Sequence, residues 1–383
     1  VARPWPRCRR RCASTGTDAA PPLLAARALL AAEIGAPAAP LDWEAAAGGA
    51  DTERLGAWLY TLGRERGVPE GRLRPFRAAW VASRRQHLLA VRELGLLLDG
   101  LQDAGVPALP LKGPALAEAL YRDPAGRPFT DLDLLVPVDH ADRAIARLHD
   151  LGYHHLGHER TLAYERAYAG AACFVPETSG PCSLPVDLHW SLVAFPGGLV
   201  PHGLAGSDVW RRAITVERLG RPVLQLSHED LLLYLALHLA VHHPLTGLRW
   251  RLELAVLLGR HARQTCWETL GTRARAWGVA GAVHFALRAV ESTFGVPAPT
   301  GTLRPRGLRG RLLDWLAPQT DGATHREYLV NLLSLDAVTD RLGMVRRGVM
   351  PSASWVRARY DCESAARGWR AHYGRALVTL ARR

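Results

Sequence analysis

Lysine is almost missing from this sequence. Of its 48 basic residues all but one are arginine, and the exception is Lys112. Asparagine is as scarce, with Asn331 alone. Arginine's planar fork is a poor substitute where a compact ammonium on a flexible stem is needed. Lys112 therefore marks a place to look, with chance survival as the competing explanation. Long apolar runs are missing too. The longest nearly uninterrupted one, Leu231 to Val241, contains His238 and is well short of the ~18 residues of a spanning helix, which excludes a helical membrane protein. The six cysteines form no CxxC and no paired zinc spacing. Cys8 and Cys12, in CRRRC, are a weak metal signal, and free thiols in a reducing cytoplasm are the expectation. No apolar h-region follows the basic start, so no secretory signal is read there. GxxxxGK[ST] and GxSxG are absent, which argues against a P-loop NTPase and an α/β-hydrolase nucleophile.

What is present is a chain of 383 residues, 48 % of them hydrophobic, enough for a sizeable core in two or three units. The net charge of +12 sits at the ends. Residues 1–17 hold five arginines and no acid, and residues 301–383 hold 15 arginines against seven acids. Nucleic acid, if bound, would meet its generic phosphate attraction there.

Hydrophobic periodicity divides the chain. A disordered basic tail is expected over 1–19 and a helical segment over 20–104. The helices there are PPLLAARALLAAEIG, DTERLGAWLYTLGRERG capped by Asp51, and a long one from FRAAWVAS to Gly105. An α/β core is expected over 105–225. VPALPLKG is short, and its two prolines make it an irregular or edge strand. PALAEALYR carries proline at the first helical position. TDLDLLVPV alternates, so Asp131 and Asp133 share one strand face. DHADRAIARLHDLG is an amphipathic helix with Asp139 as N-cap. LPVDLHWSLV is a further strand in which Asp187 and His189 share a face, and Tyr153 to Leu156 can start another. A helical domain over 226–300 and a basic, mostly helical segment over 301–383 complete the chain. The fold class is α+β, a small mixed sheet flanked by N-terminal helices and a C-terminal helical domain.

Three carboxylates carry the chemistry. Acids aimed from strands into a core are unfavourable unless paired or metal-bound. Asp131, Asp133 and Asp187, if they converge, suit a hard divalent cation such as Mg²⁺ with substrate phosphates completing its shell. Two such ions support in-line displacement at phosphorus. A solvated strand edge is the competing explanation for the DxD pair. Lys112 and Gly113 stand where a strand hands over to a helix, and a helix N-terminus offers free N–H groups to phosphate. Arg127 either clamps a triphosphate oxygen or pairs with Asp131 or Asp123. His238 and His242 are i, i+4, a spacing that can bind zinc, but no HExxH or third ligand accompanies them. They and His189 are candidates for positioning roles or for plain structural ones.

The stretch LPLKGPALAEALYRDPAGRPFTDLDLLVPVDHADRAIARLHDLGY resembles the signature of the uncharacterised nucleotidyltransferase family of the DNA polymerase β-like superfamily. PVDLHWSL is similar to that family's third-carboxylate segment. LLLYLALHLAVHHPLTGLRWRLELAVLL and MPSASWVRARY resemble its later helical parts, so the likeness spans 20–375 and is densest over 109–193. It implies a nucleotidyltransferase core in which Asp131 and Asp133 hold two Mg²⁺ ions. Asp187 would hold the catalytic ion and help deprotonate an acceptor hydroxyl, and Gly113 and its neighbours would line the triphosphate. An NTP is then the co-substrate and pyrophosphate a product. The acceptor is left open among small molecule, peptide or protein, and RNA. Lys112-Gly113 departs from the superfamily's usual Gly-Ser or Gly-Gly, and Glu253 stands where relatives tend to have Asp. The alternative is a non-catalytic binding or regulatory protein on the same scaffold, its arginine-rich ends on nucleic acid or an acidic partner.

Overall fold

The computed structural model of the chain describes residues 21–36, 40–50, 54–157, 161–177, 184–205, 208–243, 245, 247–261, 263–316, 324–360 and 362–381. The basic tail expected over 1–19 lies outside the described residues, as do Asp51, Cys8, Cys12 and Cys182.

Four helices precede the sheet: α1 (Pro21–Ile34), α2 (Trp43–Ala50), α3 (Gly56–Glu65) and α4 (Glu70–Asp103). In α4 the buried positions Leu73, Phe76, Ser83, His87, Ala90, Leu94, Leu97 and Leu101 recur at helical spacing, which gives one inward stripe over the whole length. The helix starts at Glu70, earlier than the expected Phe76, and runs through Pro75.

Five strands form one mixed sheet in the order β1-β2-β5-β4-β3: β1 (Leu109–Pro110), β2 (Leu132–Leu135), β3 (Tyr153–His155), β4 (Ala171–Pro176) and β5 (Val186–His189). β1 is an edge strand, where Pro110 removes no needed donor. β2 and β5 run parallel, and the other pairs are antiparallel. Helix α5 (Gly113–Leu120) leaves β1 directly, α6 (Ala141–Asp150) follows β2, and α7 (Leu162–Tyr168) precedes β4. The α+β class read from the sequence is the class observed. Asp139 is not the cap of α6: it lies in a 3₁₀ turn over Val138–His140, and His140 precedes the helix. Strand β4 and helix α7 had no counterpart in the periodicity.

After two short helices, α8 (His202–Ala205) and α9 (Val209–Arg212), a hairpin of β6 (Ile214–Arg218) and β7 (Arg221–Gln225) leads into α10 (His228–Leu237). The chain then passes through one π-helical turn, His238–His242. Next come α11 (Leu248–His261), α12 (Trp267–Ala276) and α13 (Ala280–Phe294). α10 is apolar on nearly every side and is buried accordingly. One hydrophobic core joins α1, α3, α10, α11 and α13, and a second lies between the sheet and α4 and α6. The chain continues through α14 (Gly307–Leu316), α15 (Thr324–Ser334), α16 (Val338–Val349), α17 (Ala353–Tyr360) and α18 (Ala365–Ala381). Trp355 and Val356 of α17 pack with Tyr164 of α7, which fastens this last segment beside the sheet. No helix among the described residues is long and apolar enough to cross a membrane.

Candidate catalytic site

Parallel pairing of β2 with β5 sets Asp133 directly across from Asp187, and His189 two residues on lies across from Leu135. Residues two apart on a strand share a face, so Asp133, Asp187 and His189 belong to one side of the sheet centre. One ligand atom from each of Asp133, Asp187 and His189 lies within 4.8 Å of the others. This trio differs from the three aspartates expected. Asp131, expected on the strand, stands in the bend just before β2, outside the tightest group, and its carboxyl feels the charges of Asp133 and Asp187.

Asp133 is the anchored member. It is 4 % exposed, and its Oδ1 accepts from Lys112 Nζ at 2.8 Å and lies 3.3 Å from His189 Nε2. Burial would raise its pKa, but the Lys112 ammonium and the His189 hydrogen bond hold it well below the usual carboxylate range. Burial works against the charge on Lys112 too, and the Tyr234 oxygen and the Asp133 carboxylate more than restore it. Lys112 also lies 3.0 Å from His238 Nε2 and donates to it. The sole lysine thus turns inward onto a carboxylate and an imidazole rather than outward to solvent.

That contact decides the histidines. His238 Nε2 is taken by the ammonium, so it is not open to zinc. His238 and His242 stack with ring centroids 5.3 Å apart, a juxtaposition supplied by the π-helical turn. Burial, with the nearby Lys112 charge, lowers both, His242 to about 4. They are neutral rings packed beside the cluster, and the carboxylate-containing donor group found among the described residues does not include them.

Arg127 is placed elsewhere than expected. It is 1 % exposed, and its Nε donates to Glu253 Oε1 at 3.0 Å, neither to Asp131 nor to Asp123. Glu253 also accepts from the Tyr121 hydroxyl at 2.7 Å and faces Arg249, whose Nη1 donates to the Pro128 carbonyl. Burial would raise Glu253, and the two guanidiniums hold it down. Periodicity could not find this network, since its members come from α5's end, the loop before β2, and α11. Cys173, across from Asp187 on β4, was also missed. Its thiol is pushed up by burial and by the Asp187 carboxylate, so it stays protonated. Reading AACFVP as a strand would have aligned it with Asp187.

At the β1–α5 junction Gly113 has φ +63°, a conformation that glycine adopts without strain. Lys112 precedes α5 without a side-chain cap, so the first N–H groups of α5 are left for a ligand or water. A Cβ on Gly113 would lie 3.7 Å from the Asp131 carbonyl, which puts this helix start against the acidic strand.

The residues fit a divalent cation. Three carboxylates face one ammonium here, because Arg127 is spent on Glu253. The deficit is visible at Asp131: burial and the charges of Asp133 and Asp187 push its carboxyl up to about 6 against the pull of Lys112 and Arg127. Two aspartate oxygens suit Mg²⁺ or Mn²⁺, and the imidazole of His189 is already engaged with Asp133.

An expectation for stability follows. A carboxylate with a raised folded pKa destabilises the metal-free fold above that pKa, and the penalty fades as pH falls through about 6. Asp131→Asn is therefore expected to raise the melting temperature well above pH 6, by the equivalent of about 3 kcal/mol. The gain should shrink as pH falls below 6 and vanish below 3.8, where the wild-type carboxyl is protonated in the folded and unfolded chain alike. Calorimetry in chelator across that range is the measurement, and a pH-independent difference would refute the assignment.

The profile of the uncharacterised nucleotidyltransferase family matches residues 39–295. It ends before the MPSASWVRARY segment. No curated protein and no solved structure matches the chain.

Proposed function

Since the chain belongs to the uncharacterised nucleotidyltransferase family, we propose that it moves a nucleoside monophosphate from an NTP to the hydroxyl of an acceptor, releasing pyrophosphate, with the protein acting in the cytoplasm. The observation that carries this reading is the pairing of Asp133 with Asp187 across two parallel strands, beside the uncapped N-terminus of α5.

The parts divide as follows. Gly113 and the first N–H groups of α5 face the triphosphate, where the helix dipole favours negative charge. Asp131, Asp133 and Asp187 would hold the divalent ion, which when bound neutralises phosphate charge and lowers the pKa of a coordinated hydroxyl. Asp187 is the base that takes the proton as the acceptor oxygen bonds to the α-phosphorus. The bond from that phosphorus to the bridging oxygen breaks, and pyrophosphate leaves with the electron pair. Lys112 fixes Asp133 as a carboxylate, and His189 and His238 fix Asp133 and Lys112 in turn. Arg127 supports the loop before β2 through Glu253 instead of gripping phosphate.

Incubation with α-labelled and γ-labelled NTPs, Mg²⁺ or Mn²⁺ and candidate alcohols tests the reading. Label should pass to acceptor from the α position only, with pyrophosphate formed in equal amount. Transfer of γ-label, or NTP binding without any turnover across acceptors and metals, would favour a kinase-like or a non-catalytic reading. Lys112→Arg is expected to cut turnover by at least about tenfold, because the fork cannot replace a point charge shared between Asp133 and His238. A variant of undiminished rate would show that charge alone is needed there.

A further inference from the structure

The acidic pair has different neighbours on its two sides. In the order β1-β2-β5-β4-β3, the α5 N-terminus lies on the β1 side of Asp133 and Asp187. On the β4 side opens a cavity of about 350 Å³, lined by Tyr164, Tyr168, Gly170, His189, Ser191 and His242 among others. An adjoining cavity of about 310 Å³ shares Tyr168 and is lined by Arg346, Arg347, Ser352 and Trp355. The first reaches the site through His189. The second is built from α16 and α17, beyond the 39–295 region of the family match.

The segment from Pro196 to Leu199 borders both cavities, with Pro196 to Gly198 lining the first and Leu199 the second. Gly198 has φ +70°, and a Cβ there would stand 1.5 Å from the Tyr168 carbonyl oxygen, so the loop over Pro196–Gly198 lies directly on α7. Arg347 Nη1 donates to the Gly198 carbonyl at 2.7 Å and ties α16 to that loop. Its neighbour Arg346 is exposed, and neither is in an ion pair among the described residues. The second cavity thus presents two guanidiniums and no acidic lining residue.

We propose that the two cavities are the acceptor site, and that the acceptor is a small alcohol with a phosphate or carboxylate at its far end. Its hydroxyl enters the first cavity beside Asp187 and His189, its middle lies along Tyr168, and its anionic end meets Arg346 and Arg347. Cavities of this size suit small molecules, whose sites run to about 300–1,000 Å³. A single-stranded RNA would need exposed aromatic faces on which to stack. Here Tyr164 and Trp355 are buried against each other, ring centroids 5.5 Å apart. The inference rests on the transfer reading for the word acceptor, but its binding claim stands apart from turnover.

The test reads binding without NTP. The probes are 2-(4-hydroxyphenyl)ethanol, its phenolic phosphate ester, the matching 4-carboxyphenyl alcohol, and a short single-stranded RNA, titrated calorimetrically into the full chain. The two anionic alcohols should bind at least about tenfold more tightly than the neutral one, the range of a charge-assisted contact. Arg346→Ala should remove that preference without moving the melting temperature, Arg346→Lys should restore part of it, and Asp187→Asn should leave it intact. Loss of turnover in Asp187→Asn with anion preference retained would separate the two claims. Equal binding of charged and neutral probes, no binding of either anionic alcohol at millimolar concentration, or Arg346-dependent binding of the RNA alone would overturn the proposal.

Discussion

Asp187→Asn is expected to reduce nucleotidyl transfer by about a thousandfold or more, while leaving the protein folded. The two halves of that expectation come from different features of the site. Asp187 is half-buried, and its strand neighbour is another carboxylate in register. Removing its charge therefore relieves repulsion in the metal-free protein and should not lower the melting temperature. The same change removes an oxygen ligand and the proposed proton acceptor, which lies beside the cavity-lining His189. Asp133 is a less informative target. Its loss strands Lys112 as a buried, unpaired ammonium, so lost activity would be confounded with lost structure. Steady-state turnover, with circular dichroism and thermal melting alongside, decides the matter. Retention of a tenth or more of wild-type rate would remove Asp187 from the chemistry.

Glu253→Gln is expected to be the most destabilising of the substitutions discussed, by about 3–5 kcal/mol. Glu253 and Arg127 are each 1 % exposed, and the carboxylate also holds the Tyr121 hydroxyl and faces the buried Arg249. Neutralising it leaves two guanidiniums with no counter-charge in a dry interior. Replacing both partners, Arg127→Met with Glu253→Met, should recover part of the loss, because a pair removed together takes its desolvation penalty with it. Chemical denaturation of the two variants supplies the comparison. If Arg127 instead served a nucleotide phosphate, Glu253→Gln would cost little stability, and Arg127→Met would weaken NTP binding without unfolding.

The divide between what was legible and what was not follows the range of the interactions. TDLDLLVPV exposed an acidic strand because side-chain alternation is a property of the chain itself, although Asp131 falls in the bend before it, and PVDLHWSL did the same for Asp187 and His189. Strand β4 escaped because the alanines of AACFVP carry little β preference on their own. It is a strand because β3 and β5 pair with its two edges. Cys173 was missed for that reason. Arg127 was legible as a cation before an acidic strand, but its partner lies on α11, and no local rule points from one to the other.

By itself, the sequence determined the α+β class, the shared face of Asp187 and His189, and the singularity of Lys112, all fixed by local periodicity and composition. Only the tertiary structure decided which groups meet. It set Asp133 across from Asp187, turned Lys112 inward to His238, gave Arg127 to Glu253, and brought Arg346 and Arg347 to a cavity on the far side of the sheet centre. The reason is that a buried charge takes whichever opposite charge the packed helices and strands deliver to it, and that delivery depends on the whole chain.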